Sequence, residues 1–428
     1  MTRKIFVVLA KHLLTSAISV GLVSLMSCNN NLGQNPATNS EKMIQPSDVA
    51  SNSAEMSDRV TEAYTEFAFK LFSQLSDRQE QQNIFISPAS ITTALSMTYN
   101  GAYGETQDAI AQVLAVQGIS VEELNQSNAA LKAALENADE EVKLTLANSL
   151  WLNKEASFLP AFLQRINESY DAKLTQLDFS EPQAVDEINA WVQQQTNDKI
   201  NAILDEIPPQ AILYLINAIY FKGSWSEPFA PEATEEQPFT LLDGSTKPHP
   251  LMSQTGEYRY LETDQMQGVS IPYGDGRLSL YVFLPNTESN LANFYQNLSQ
   301  EQWEDWMSRF QFRPGTVKLP RFQLEYETSL NEVLKQMGME VAFDPGMADF
   351  SQMTLMENAH ISEVKHKTFV EVNEEGTEAA AVTSVGVVAT SAPVDPPFSF
   401  VADRPFFCAI RDNQTGTILF MGSIVDPS

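Results

Sequence analysis

Apolar and polar residues change their spacing repeatedly along the 428-residue chain, and each change marks an element. From about Asp58, the residues Val60, Ala63, Phe67, Phe69, Leu71 and Leu75 fit a helix with one buried face. A short apolar strand at 83–86 then meets Ser87-Pro88. A proline in the first turn suits a helix, which is expected to reach about Asn100 and stop at Gly101. Helices are predicted over 105–114 and 121–138, and the alternation from Val142 to Trp151 predicts a strand. A helix over 158–170, a strand over 174–179 and a helix over 182–198 follow. Ala211 to Lys222 is nearly continuous in apolar residues. Such a run forms either a buried helix or a strand covered on both faces; its aromatic and β-branched content favours a central strand.

Short strands are predicted across 236–284, notably Leu278 to Leu284. Helices return at 289–308 and 327–337, with a strand at 316–323 between them. A strand over 362–373 leads into the window discussed next. Two strands, 405–411 and 417–425, close the chain around the turn Asp412-Asn-Gln-Thr-Gly416. Helices come early and strands late, and neither a repeat nor a linker interrupts the chain after residue 58. The pattern indicates one α+β domain over 57–428.

Residues 374–397 break this order. The window opens with Glu374-Glu375-Gly376 and leaves through Pro396-Pro397, which suits an exposed loop. Between Glu378 and Asp395 there is no charge, and the residues are small or β-branched, which suits a strand. An uncharged, β-prone window left in the open is an aggregation hazard. Its retention suggests a loop built to become a strand. Alternate side chains of a strand share a face. One set, Thr377, Ala379, Ala381, Thr383, Val385, Val387 and Ala389, holds no charge and nothing larger than valine, so it can be buried. The other set carries Glu378 and would face outwards.

Charge and composition narrow the chemistry. A net charge of -29 argues against nucleic acid, whose phosphates are met by Lys and Arg, and is read as a soluble acidic surface. Two cysteines, Cys28 and Cys408, form no disulfide framework and no metal pattern. His12, His249, His360 and His366 have no Cys or His neighbour at ligand spacing, so no metal is expected. No Gly-x-Ser-x-Gly elbow is present, and an enzyme is not expected.

The first 28 residues read as an export signal. Arg3, Lys4 and Lys11 supply positive charge, and the apolar run from Leu13 to Met26 is short for a membrane span. The run ends in Leu25-Met26-Ser27-Cys28, which resembles a bacterial lipobox; lipidation at Cys28 is expected, against an ordinary signal with a chance cysteine. Residues 29–56 are rich in Asn, Ser, Gln, Pro and Ala and are read as a flexible tether. The chain is thus expected to be exported, as an extracellular or cell-envelope lipoprotein.

Several separated motifs resemble the serpin family. They are Asn83-Ile-Phe-Ile-Ser-Pro-Ala-Ser-Ile, Asn217-Ala-Ile-Tyr-Phe-Lys-Gly-Ser-Trp225, Gly376-Thr-Glu-Ala-Ala-Ala381, Asp403-Arg-Pro-Phe-Phe-Cys-Ala-Ile and Gly416-Thr-Ile-Leu-Phe-Met-Gly422. The resemblance implies a serpin fold of about nine helices and three β-sheets with an exposed reactive-centre loop over about 374–397. It implies an inhibitor of serine proteases that is attacked at the loop, forms an acyl-enzyme, and inserts the loop as an extra strand.

The resemblance also assigns positions. Glu374, Glu375, Gly376, Thr377, Glu378, Ala379, Ala380 and Ala381 match the hinge, and nothing there is bulky enough to forbid insertion. The spacing from Gly376 puts the attacked bond at Thr390–Ser391, with Ala389–Thr390 as the rival. Ser87, Ser90, Asn217 and His366 match a polar cluster where the sheet opens, although His366 also reads as an ordinary satisfied core histidine. Trp225 and Glu374 match positions where the loop first inserts, and Glu374 reads equally well as a solvated turn charge. No Lys or Arg lies between Gly376 and Asp403, so an elastase-like or subtilisin-like protease is expected rather than a trypsin-like one. Val121 to Glu140 holds only Lys132 among several acids, so no sulfated-polysaccharide cofactor is expected. A monomer is expected. The alternative is a non-inhibitory binding protein of the same fold, cut as a simple substrate.

Overall fold

The computed structural model describes residues 56–79, 81–136, 141–287, 289–377 and 396–428. They begin with α1 (Asp58–Arg78), β1 (Ile84–Ile86), α2 (Pro88–Tyr99), α3 (Gly104–Val113), α4 (Val121–Glu136), β2 (Val142–Asn153), α5 (Pro160–Ser169), β3 (Lys173–Leu177), α6 (Gln183–Gln195) and β4 (Leu213–Ser224). Strands then dominate, as β5 (Glu235–Thr240), β6 (Thr246–Glu262), β7 (Met266–Pro272) and β8 (Leu278–Pro285). α7 (Leu291–Gln296) and α8 (Gln300–Arg309) precede β9 (Gln311–Pro320) and β10 (Phe322–Ser329). An irregular helical segment, α9, runs through Asn331–Leu334, Lys335–Met339 and Glu340–Phe343. The chain ends with β11 (Ile361–Val372), β12 (Gly376–Thr377), β13 (Phe398–Val401), β14 (Phe406–Asp412) and β15 (Ile418–Ile424).

Local chemistry accounts for the helices that matter here. α1 buries Val60, Ala63, Tyr64, Phe67, Leu71 and Leu75 along one stripe. α2 starts where the Ser87 side chain accepts the Ser90 N–H, with Pro88 in the first turn. Every one of its residues is buried, so α2 runs through the core rather than along the surface.

The six-stranded sheet has the order β10-β11-β12-β4-β2-β3, and β11 also pairs directly with β4. The apolar run at 211–222 forms β4, a central strand. One face of this sheet packs on α6 through Ala184, Ile188 and Val192, which meet Trp151, Tyr214, Ile216 and Phe369. The other face joins the larger core with α1, α2 and the second sheet.

Two expectations are corrected. The predicted helix at 289–308 is two helices, because the Ser299 side chain accepts the Gln302 N–H and starts a new one. The predicted helix at 327–337 begins only at Asn331, since residues through Ser329 stay paired with β11. Among the described residues, hydrogen bonding joins the strands into two sheets. The seventeen-residue β6 holds the larger one together: its first part pairs with β5, its last part with β7, and β9 runs alongside it.

Candidate functional site

Three neighbouring strands bring three polar residues to one level. Asn148 of β2 lies opposite Asn217 of β4, and Asn217 lies opposite His366 of β11. All three are buried. The N-terminus of α2 sits beneath them, and there the Ser87 N–H donates to His366 Nε2 at 3.1 Å. Since Nε2 accepts, the imidazole proton lies on Nδ1 and is donated to Asn217 Oδ1. Asn217 Nδ2 then donates to Ser90 Oγ and to Asn148 Oδ1. Ser90 Oγ also donates to Asn148 Oδ1, at 3.3 Å. The network leaves no place for a second imidazole proton, and burial pushes the His366 pKa down to about 3.

The structure therefore brings Ser87, Ser90, Asn217 and His366 together, and His366 is both a satisfied core histidine and the link between α2 and two strands. Asn148 completes the cluster and was missed by sequence reasoning. Its signal was available: asparagine is uncommon within strands, and this one interrupts an apolar alternation.

At one end of the same seam, Gly376 and Thr377 already stand as β12. They lie antiparallel between β11 and β4, with Thr377 opposite Val372 and Gly223, and Gly376 opposite Ser224. Gly376 adopts φ +149°, and a Cβ there would collide with the Gly223 carbonyl. Only glycine fits both demands. Thr377 is fully buried, and its Oγ1 lies 2.9 Å from the Tyr273 hydroxyl. Tyr273 stacks on Trp225 with centroids 4.4 Å apart.

Trp225 binds the turn ahead of β12. Its Nε1 donates to the Asn373 carbonyl at 2.9 Å, and its backbone N–H donates to the Glu375 carbonyl at 2.9 Å. Glu374 is buried, not a solvated turn charge. Arg321 Nε donates to its Oε1 at 2.6 Å, and the Thr234 hydroxyl donates to the same oxygen. Burial alone would raise the Glu374 pKa, but Arg321 and Thr234 outweigh it and hold the carboxyl below its ordinary value. Arg321, Thr234 and Tyr273 carried no signal in the sequence, because each acts through a contact far along the chain.

The expected loop boundary at 374 is thus corrected: residues 374–377 are anchored, with Glu374, Gly376 and Thr377 buried. At the far end, β13 pairs in parallel with β9, Phe398 opposite Gly315. The Phe398 ring stacks on Tyr260 at 4.0 Å. Between these anchors, Glu378, Ala379, Ala380, Ala381, Ala389, Thr390 and Ser391 lie outside the described residues, as does Cys28. Cys408 is fully buried in β14, and burial pushes its thiol up to about 12, so it packs as an apolar residue.

Comparison with known proteins agrees with this geometry. Residues 62–427 match the family model for Serpin (serine protease inhibitor). Human leukocyte elastase inhibitor is 36% identical over 382 residues, covering 86% of this chain and 100% of the relative. An uncharacterised serpin-like protein of Thermococcus kodakarensis is 36% identical over 372 residues, 86% of each chain. The native thermophilic serpin tengpin superposes with a TM-score of 0.81 at 33% identity, covering 87% of this chain and 95% of that one. Human thyroxine-binding globulin, complexed with thyroxine, superposes at 0.80 with 28% identity, covering 86% and 98%. Family, fold and the paired strands around β12 converge on one assignment: the chain belongs to the serpins, a family of serine protease inhibitors rather than of catalysts.

Proposed function

We propose that the protein traps a serine protease as a suicide substrate, by inserting its cleaved loop between β11 and β4. The foothold at Gly376–Thr377 carries this reading, because it fixes the register of everything that follows. Antiparallel pairing keeps the sum of paired residue numbers constant. From Thr377 opposite Val372 and Gly223, continued insertion brings Thr383 opposite both His366 and Asn217. Thr383 then shares the face of Thr377 and meets the polar level with a hydroxyl. The rest of that face, Ala379, Ala381, Val385 and Val387, is apolar and small, as a buried strand requires.

The gain from insertion is large. About a dozen residues at ~1 kcal/mol net per new hydrogen bond gives on the order of ten kcal/mol. Fourteen inserted residues at ~3.3 Å each carry the cut end roughly 45 Å, enough to drag an acylated protease across the molecule. The attacked bond is Thr390–Ser391 or Ala389–Thr390. Small residues before it suit a shallow specificity pocket, as in elastase-like and some subtilisin-like enzymes. Residues 1–28 act as the export signal with lipid on Cys28, and residues 29–56 as the tether, so the inhibitor works from the cell envelope or outside the cell.

Incubation with elastase tests the reading. A covalent complex that survives SDS is expected, and mass spectrometry of it reports the cut bond. Clean cleavage with no complex rejects the inhibitor and leaves a serpin-fold binding protein with a substrate loop. Trypsin is expected to form no complex.

A further inference from the structure

The Phe312 ring stands 70% exposed on β9. Its backbone is fixed, because Phe312 lies opposite Arg259 in an antiparallel ladder of ten pairs between β9 and β6. Alternate residues of a strand take opposite faces. Arg313 turns inwards, where its guanidinium lies 5.2 Å from the Tyr260 ring, the ring on which Phe398 stacks. Arg313 Nη2 also donates to the Pro396 carbonyl at 3.4 Å. The chain leaving the far end of the loop is thus held by the residue next to Phe312. Among the described residues, the other exposed large apolar side chains are Tyr103, Leu242, Met347 and Leu355, and none of them lies on β6, β9 or β13. From Ser391 to Pro396 the chain advances five residues, which span at most about 17 Å at ~3.3 Å each. A protease domain of about 200 residues has a radius of gyration of ~16 Å. Seated on the proposed bond, it overhangs Phe312.

We infer that Phe312 is an apolar anchor for the attacking protease, a contact outside the loop with the rim of the enzyme's cleft on the side that receives the residues after the cut bond. The partner it fits is a serine protease with an apolar patch on that rim. Arg259 lies opposite Phe312 and exposed Glu257 opposite Pro314, so the ring has the polar surround of an interface anchor. A paired strand already holds it, so docking costs little further ordering. The small residues before the bond suit many proteases, and this contact adds the discrimination they lack. It acts on the encounter and not on insertion, because β9 belongs to the nine-stranded sheet whereas the seam between β11 and β4 belongs to the other. The inference rests on the reading that a protease attacks the loop.

The full chain and its Phe312→Ala variant, mixed with elastase, test the anchor through two quantities: the second-order rate of complex formation and the number of inhibitor molecules consumed per elastase captured. The variant is expected to lose at least fivefold in rate with that number unchanged, and Phe312→Leu to recover most of the rate. An unchanged rate, or a rate lost together with a changed number, overturns the anchor. A shifted cut bond in the variant also overturns it, since the substitution then acts by displacing the loop. A dimer in sedimentation that Phe312→Ala dissolves assigns the ring to a second copy of the chain and overturns it too. If the unaltered protein is cut without being trapped, the trapping reading fails while the rate of loop cleavage still decides the anchor: cleavage at least fivefold slower in the variant upholds it, and equal cleavage overturns it.

Discussion

The hydroxyls of Thr377 and Tyr273 lie 2.9 Å apart, inside the core, at the point where β11 and β4 have separated to admit two residues. Two residues of β12 thus already stand between these strands in the uncut chain. Thr377 fills a buried pocket beside Tyr273, which stacks on Trp225.

An arginine in this pocket has neither space nor a counter-charge. Thr377→Arg is expected to expel the foothold and convert the protein to a substrate. Elastase cleavage should continue, while the SDS-stable complex falls at least tenfold. Retained trapping by this variant would sink the assignment of the hinge.

Glu374 and Arg321 close the turn that feeds β12. Glu374→Lys removes the acceptor for Arg321 and Thr234 and sets two cations together. Charge-assisted hydrogen bonds contribute about 2 kcal/mol, and Arg321 is partly exposed, which reduces this through solvent screening. The loosened turn is expected to open the seam to loops of other molecules. Native gels after mild heating should show ladders at a lower temperature than for the unaltered protein, and Glu374→Gln should fall between the two.

His366 makes stability depend on pH. An unfolded histidine titrates near 6.5, whereas here the pKa is about 3 because of burial. The unfolded chain thus binds a proton the folded chain refuses. The stability of the neutral form is complete above pH ~6.5 and is lost at about 1.4 kcal/mol per unit as pH falls from there towards ~3. Melting temperature is expected to drop between pH 6 and pH 4 in the parent, with a flatter profile in His366→Asn. Depressed carboxylates such as Glu374 and Asp426 add their loss only at lower pH. Parallel profiles in the two proteins would contradict the role of His366.

Cleavage of the loop is expected to raise the melting temperature sharply, since an added strand completes the sheet; an unchanged value counts against insertion. Thr383→Val tests the register. It should leave the uncut protein unaltered and lower the melting temperature of the cleaved form by a few degrees, about the effect of ~1–2 kcal/mol lost from one hydrogen bond. An effect on the uncut form alone would mean that Thr383 never reaches the level of His366.

The sequence made some of this legible and hid the rest for a physical reason. β4 was readable because a strand covered on both faces must be apolar throughout. α2 was readable from Ser87-Pro88, a purely local signal. β13 was not, because four residues after two prolines form a strand only by pairing with β9, far away in the chain. The same holds for Glu374, whose surroundings come from Arg321 and Thr234. Ser87, Ser90, Asn217 and His366 could be named from resemblance, yet their chemistry, with the imidazole proton on Nδ1, needed the geometry.

The direct contact between β4 and β11 is a parallel ladder of eight register pairs, and parallel pairing is slightly the weaker kind. In the trapping proposed above, insertion would exchange it for two antiparallel ladders, with no downhill route back, so that each copy would act once. The protection a cell obtains would then be set by inventory rather than turnover, one molecule synthesised for each protease molecule stopped.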